Sequence, residues 1–123
     1  MPIIDVEMVL EDVAAAPPST LARALADAIG RTLGSAPGCT WVRLRSLPAA
    51  HYAENDALLG ADEWPVFVTV LHAHPPTGDA LAAEAAALTA VTARTIGCPP
   101  ARVHVQYAPP GAGRQAFGGH FVE

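Results

Sequence analysis

Arg31-Thr32-Leu33-Gly34 recurs 63 positions later as Arg94-Thr95-Ile96-Gly97. The match spreads outward from this anchor. Pro2-Ile3-Ile4 meets Pro65-Val66-Phe67 at the same spacing. Val42-Arg43-Leu44-Arg45 meets Val103-His104-Val105-Gln106 at a spacing of 61, and Pro48 then meets Pro109. The change of two falls in a connector, where Ser35 to Trp41 is longer than Cys98 to Arg102. Loop length is thermodynamically cheap to change. A preserved order across both halves marks an internal duplication. The chain reads as one domain, 1–123, built from repeat one at 2–60 and repeat two at 64–123.

Each half reads strand, helix, strand. Val66, Val68 and Val70 alternate with Phe67, Thr69 and Leu71, a β-rich run with a buried face. A first helix is expected from about Ser19 to Leu33. Pro17-Pro18 stops the preceding chain, and Ser19 or Thr20 is placed to cap the start. Leu21, Leu25, Ile29 and Leu33 form one apolar stripe. Arg23, Asp27 and Arg31 line another face at ion-pair spacing. A second helix is expected from about Asp79 to Ile96, with Leu81, Leu88, Val91 and Ile96 as core. Gly34 and Gly97 suit the left-handed position that ends a helix. A βαβ crossover makes its two strands parallel, with the helix on one sheet face. The expected class is therefore α+β (α/β): two consecutive βαβ units, a four-stranded sheet and two helices on one face. The opposite face is left bare, to be covered by other subunits.

Composition narrows the function. Apolar residues make up 51% and charged ones 15%, a globular balance. No apolar run approaches the ~20 residues of a membrane span. The acidic start, Asp5, Glu7, Glu11 and Asp12, is no signal peptide, so the expected location is cytoplasmic. A formal charge of −5 argues against nucleic acid. Cys39 and Cys98 make neither a disulfide framework nor a zinc site, and read as free, partly buried thiols. His72 and His74 could share a strand face as metal ligands, but no third ligand appears, so neither a metal nor a cofactor is expected.

Pro2 heads the apolar strand Ile3-Ile4-Asp5-Val6-Glu7-Met8-Val9. With Met1 removed, its nitrogen is a secondary amine able to act as base or nucleophile. An α-amino group titrates near ~7.7–8.0, and an apolar pocket lowers that. A general base for neutral pH results. The other reading is an ordinary processed terminus; with Met1 retained, Pro2 is an inert amide, as Pro65 must be.

Pro2 heading a strand, together with two fused βαβ units, resembles the tautomerase superfamily. The likeness covers nearly the whole chain. Val42-Arg43-Leu44-Arg45 is similar to the arginine-bearing second strand of 4-oxalocrotonate tautomerase and the muconate isomerases. Arg102-Val103-His104-Val105-Gln106-Tyr107 resembles the last long strand of macrophage migration inhibitory factor. Arg114-Gln115-Ala116-Phe117-Gly118-Gly119 resembles the family's closing segment. The resemblance implies a homotrimer with active sites at subunit boundaries. It also implies a cofactor-independent tautomerase or isomerase interconverting enol and keto forms of a small 2-hydroxy-dienoate or 2-keto acid. The dehalogenase and decarboxylase branches carry arginines after the third strand; Leu71-His72-Ala73-His74-Pro75-Pro76 has none.

On this reading Pro2 is the catalytic base and Arg43 the favoured catalytic arginine, by its alignment with His104. Arg45 shares its strand face, and either guanidinium suits a carboxylate or enolate. A solvated face or an intersubunit salt bridge is the other explanation of the pair. Tyr52 walls the pocket or donates its hydroxyl, or else packs at an interface. His104 and Gln106 hydrogen-bond a substrate oxygen or serve a subunit contact. Phe117 is a pocket wall or, with Phe121, interface packing. Glu54 could activate water in a hydratase-like reaction, but reads better as a surface carboxylate. The partner is a small-molecule carboxylate. The alternatives are a non-catalytic trimeric binding or structural protein, or a Pro2-dependent hydratase or decarboxylase.

Overall fold

The computed structural model describes residues 2–12 and 16–123, so Met1 lies outside the described residues. Strands β1 (Ile3–Leu10), β2 (Trp41–Pro48), β3 (Val66–Leu71) and β4 (Val103–Tyr107) form one sheet in the order β2-β1-β3-β4. Helix α1 (Leu21–Leu33) joins β1 to β2, and α2 (Gly78–Ile96) joins β3 to β4. Both crossover pairs are parallel, and β1 and β3 meet antiparallel at the centre. Two two-residue strands, β5 (Ala116–Phe117) and β6 (His120–Phe121), pair as a small hairpin in the tail. No described helix is long and apolar enough to cross a membrane.

The alternation of each strand decides the layers. Ile4, Val6 and Met8 of β1 and Val66, Val68 and Val70 of β3 lie buried in one cluster. Leu25 and Ile29 of α1 and Leu88, Val91 and Ala93 of α2 belong to the same cluster, so both helices cover one sheet face. Each fully buried aliphatic side chain contributes about 1.5–3 kcal/mol relative to exposure. The residues between them, Asp5, Glu7, Phe67 and Thr69, point the other way and remain partly exposed. The bare face expected from sequence is thus present in the single chain.

Several local expectations shift. Ile4 and Val66 share the helix-facing side, whereas the match of Pro2 to Pro65 pairs inward Val66 with outward Ile3. The duplication is therefore out of phase by one residue in its first strand. At the start of α1, Thr20 makes no side-chain cap; the Leu21 N–H donates to the Pro18 carbonyl at 3.0 Å instead. Arg23, Asp27 and Arg31 form no ion pairs with one another among the described residues. Leu81 stands outside the core cluster. Cys39 is exposed rather than partly buried; Cys98 is intermediate, as expected.

Both helices end on a left-handed glycine, Gly34 at φ 66° and Gly97 at φ 87°. A Cβ added at Gly97 would meet nothing within 4 Å, so substitution strains only the backbone. Gly97→Ala is expected to lower unfolding stability by about 1 kcal/mol, read as a lower urea midpoint at unchanged slope.

Candidate functional site

Strand register sorts the polar residues of the bare face into two rows. The first runs Arg43, Asp5, Thr69, Gln106 across β2, β1, β3 and β4. The second runs Arg45, Glu7, Phe67, His104. In the first row, the Arg43 Nε and Nη2 donate to the Asp5 carboxylate at 2.5 and 2.8 Å, and the Gln106 amide donates to Thr69 Oγ1 at 2.8 Å. In the second, the His104 ring lies 5.7 Å from Phe67, and the Tyr52 ring 5.9 Å from Phe67. The Tyr52 hydroxyl donates to Glu54 Oε2 at 2.7 Å. A hollow of about 410 Å³ sits over both rows, lined by Asp5, Glu7, Arg45, Phe67, Thr69 and Gln106.

Charge on this face is nearly balanced, two arginines against two carboxylates. Arg43 is committed to Asp5 by paired hydrogen bonds. The Arg45 guanidinium makes no hydrogen bond among the described residues and acts on Asp5 through its charge alone. It is the guanidinium open to an incoming anion. The Arg43 hydrogen bonds hold the Asp5 carboxyl below the usual carboxylate range, against the opposing effect of burial. The ionised form is therefore favoured by folding, so its stabilisation is present above the ordinary carboxylate pKa of about 3.9 and is lost as pH falls through the lower folded value. Arg43→Ala is expected to raise the Asp5 midpoint, followed by NMR titration of its side-chain carboxyl carbon.

Pro2 is not part of this cluster. It is buried, on the helix-facing side with Ile4, whereas Arg43, Arg45, His104 and Gln106 lie on the opposite side. Asp5 is three residues along the strand, about 10 Å away. Within one chain, then, Pro2 does not meet the arginines. What the fold does gather at the Pro2 end is a different set. The Trp41 N–H donates to the Pro2 carbonyl at 3.1 Å. The Trp41 ring packs edge-on against Phe117, centroids 4.9 Å apart. The tail closes over the same end, with the Gly111 N–H donating to the His72 carbonyl at 2.8 Å and the Ala112 N–H to the Ala73 carbonyl at 3.2 Å. His72 and His74 do not share a ligand: His72 Nε2 faces Glu84, and His74 Nε2 bonds the Glu123 carbonyl. No group of three metal-ligating side chains occurs among the described residues.

Trp41, Asp5, Glu84 and Tyr107 were not singled out from the sequence. Trp41 directly follows the connector and begins the strand beside Pro2, which is the signal that could have found it. A larger hollow, about 550 Å³, lies between α1 and the segment leading to β2, lined in part by Arg23, Asp27, Arg31, Ser35 and Thr40. It contains none of the expected site residues.

No protein-family model matches the sequence, and no curated protein matches it. Solved structures do match. Pt0534 inactivated by 2-oxo-3-pentynoate superposes with a TM-score of 0.72 at 21% identity, over 98% of this chain and 95% of that one. Fused 4-OT in its asymmetric trimer gives a TM-score of 0.73 at 18% identity, over 97% and 94%. Macrophage migration inhibitory factor from Oncomelania hupensis gives 0.69 at 22% identity, over 100% and 83%. The chain has the fold of these Pt0534, fused 4-OT and inhibitory-factor structures along essentially its whole length.

Proposed function

We propose that this chain, which has the tautomerase and inhibitory-factor fold, is a cofactor-independent tautomerase in which Pro2 is the general base. The substrate class is a small 2-hydroxy-dienoate or 2-keto acid. The observation that carries the reading is the position of Pro2: buried, at the start of the first strand, continuing the aliphatic row of Ile4 and Val70, with its carbonyl held by the Trp41 N–H. An apolar setting disfavours the charged amine and keeps a lone pair available near neutral pH. With Met1 removed, Pro2 takes the enol proton and returns it to carbon.

The acceptor for the substrate carboxylate has to come from elsewhere, because Pro2 and the arginines stand on opposite sides of one sheet. A homotrimer supplies it: the bare face of one copy is brought to the Pro2 end of another. The fused 4-OT structures are themselves trimers. Arg45, with its guanidinium unpaired among the described residues, anchors the carboxylate. Arg43 braces the face through Asp5, and Gln106 and His104 hold the developing oxyanion by hydrogen bonds. Tyr52 and Phe117 wall the site. The Arg43–Asp5 pair also favours a second reading, a non-catalytic trimer in which this face serves assembly alone.

Ketonisation of phenylenolpyruvate and 2-hydroxymuconate separates the two. Protein whose intact mass lacks Met1 is expected to accelerate the reaction, and a form extended by Gly-Ser ahead of Pro2 to be at least about a hundredfold slower. Equal rates in both forms would remove Pro2 as the base. No acceleration by either would leave the assembly reading.

A further inference from the structure

We infer that His72 is a second proton-transfer residue at the Pro2 end of the sheet, held in place by Glu84 and Tyr107. The register of β1 and β3 ends at Ile3 opposite Leu71, so the next residues, Pro2 and His72, come opposite one another. Both continue the helix-facing row, Pro2 with Ile4 and His72 with Val70, which places their side chains as cross-strand neighbours. At the far end of the same pair of strands, the position opposite Pro65 is Val9, whose N–H donates to the Pro65 carbonyl at 3.1 Å. The ionisable side chain thus stands beside the proline that can expose an amine, and an aliphatic one beside the proline that cannot.

The surroundings of His72 are those of an oriented imidazole. Its Nε2 lies 3.0 and 3.1 Å from the two Glu84 carboxylate oxygens. The Tyr107 hydroxyl donates to Glu84 Oε2 at 2.7 Å, and the Tyr107 ring stacks on the His72 ring at 6.2 Å and 16°. The His72 and Glu84 side chains are only 13% and 15% exposed. Burial, and then the Glu84 carboxylate, push the Tyr107 phenol far above its ordinary value, so it remains a donor. A carboxylate on Nε2 selects the tautomer with hydrogen on that nitrogen. The lone pair then belongs to Nδ1, which has no hydrogen-bond partner among the described residues. A histidine oriented by a buried carboxylate through one nitrogen, with the other free, is the arrangement of a general base. The groups facing it are Glu84 from α2, Tyr107 from β4 and, by the continued register, Pro2 just ahead of β1.

The inference rests on the tautomerase reading for its substrate. In the step, Nδ1 takes the proton of the enol hydroxyl, the electron pair moves through the C–C double bond, and the same N–H delivers the proton to carbon. One O–H bond breaks and one C–H bond forms, with no oxidant or reductant. Unlike Pro2, His72 does this whether or not Met1 is removed.

The test uses full-length protein extended by Gly-Ser ahead of Pro2, with phenylenolpyruvate as substrate. The extended form is expected to exceed the buffer rate by about tenfold or more. H72Q in the same background is expected to return to the buffer rate, and E84Q to lose most of the excess. Thermal melts confirm that each variant is folded. The E84Q loss is expected in kcat with KM changed no more than a few-fold, a split that a packing role would not give, and the ¹⁵N shifts of His72 in the extended form are expected to show hydrogen on Nε2 and a bare Nδ1. The opposite tautomer overturns the inference, as does an extended H72Q protein as fast as its parent. An extended form at the buffer rate beside an active Met1-free wild type overturns it while leaving Pro2 as the base. If Met1-free wild type is itself no faster than buffer, the tautomerase reading falls first and takes this step with it.

Discussion

A Met1-free Pro2→Ala protein is expected to ketonise phenylenolpyruvate with a kcat about a hundredfold below wild type and a KM changed by only a few-fold. The substitution does not remove the amine; it replaces a ring amine held by packing with a primary amine on a single methyl group. In the folded chain the Pro2 ring is buried, and its carbonyl is tied to β2 through the Trp41 N–H. That combination fixes the nitrogen at one place at the end of β1. Alanine keeps the carbonyl bond but loses the ring contacts, so the amine hydrates and moves. General base catalysis contributes about 10²–10⁴-fold, and misplacement forfeits the lower part of that range. A change confined to the chemical step appears in kcat, since the groups proposed to hold substrate, Arg45 and Gln106, are untouched. Steady-state kinetics on protein of verified mass provide the measurement. An unchanged kcat would exclude the Pro2 ring as the catalytic group, and a loss confined to KM would recast it as a binding wall.

The fold was legible because its signals are local. The alternation of Val66, Val68 and Val70, the Leu25–Ile29 stripe and the terminating glycines Gly34 and Gly97 each report a backbone geometry from neighbouring residues. Duplication then supplied the two parallel βαβ units of one sheet, while the order β2-β1-β3-β4 and the antiparallel meeting of β1 and β3 are set by how the halves pack. The site was less legible because its contacts are set by register and by packing between elements. Arg43 and Arg45 look equivalent on one strand, and each has a carboxylate in register, Asp5 and Glu7; only Arg43 closes hydrogen bonds with its partner, which leaves Arg45 open. Glu84 sits in an alanine-rich helix where nothing in the sequence marks it. It reaches His72 and Tyr107 because α2 packs across the ends of β3 and β4. The shift of the Pro2–Pro65 match by one residue has the same origin: a sequence alignment follows residue identity, whereas the sheet follows which side each residue faces.

Leu88→Ala is expected to be the most destabilising single truncation in α2, by about 3–5 kcal/mol. The helix runs from Gly78 to Ile96, and most of its residues are alanine, threonine or small polar groups. Alanine favours the helix intrinsically but brings little apolar surface to the sheet. Leu88 is wholly buried, and its buried companions on α2 are the smaller Val91, Thr92 and Ala93. On the strands it shares the core with Val66, Val68, Val70 and Val103, whose β-branched side chains are stiff and cannot swing into a void. A cavity left there stays largely open, which puts the cost in the upper part of the range for leucine truncation. For a domain of this size the loss corresponds to roughly 10–20 °C in Tm, measured at fixed protein concentration so that any assembly contributes equally. Leu58, which is fully exposed at 101%, provides the contrast: Leu58→Ala is expected to move Tm by no more than a degree or two, because no described residue covers it. A Leu58→Ala loss as large as that of Leu88→Ala would mean that Leu58 is buried in the assembled protein. The same pair of melts therefore reports both the core of the single chain and what lies over its exposed loop.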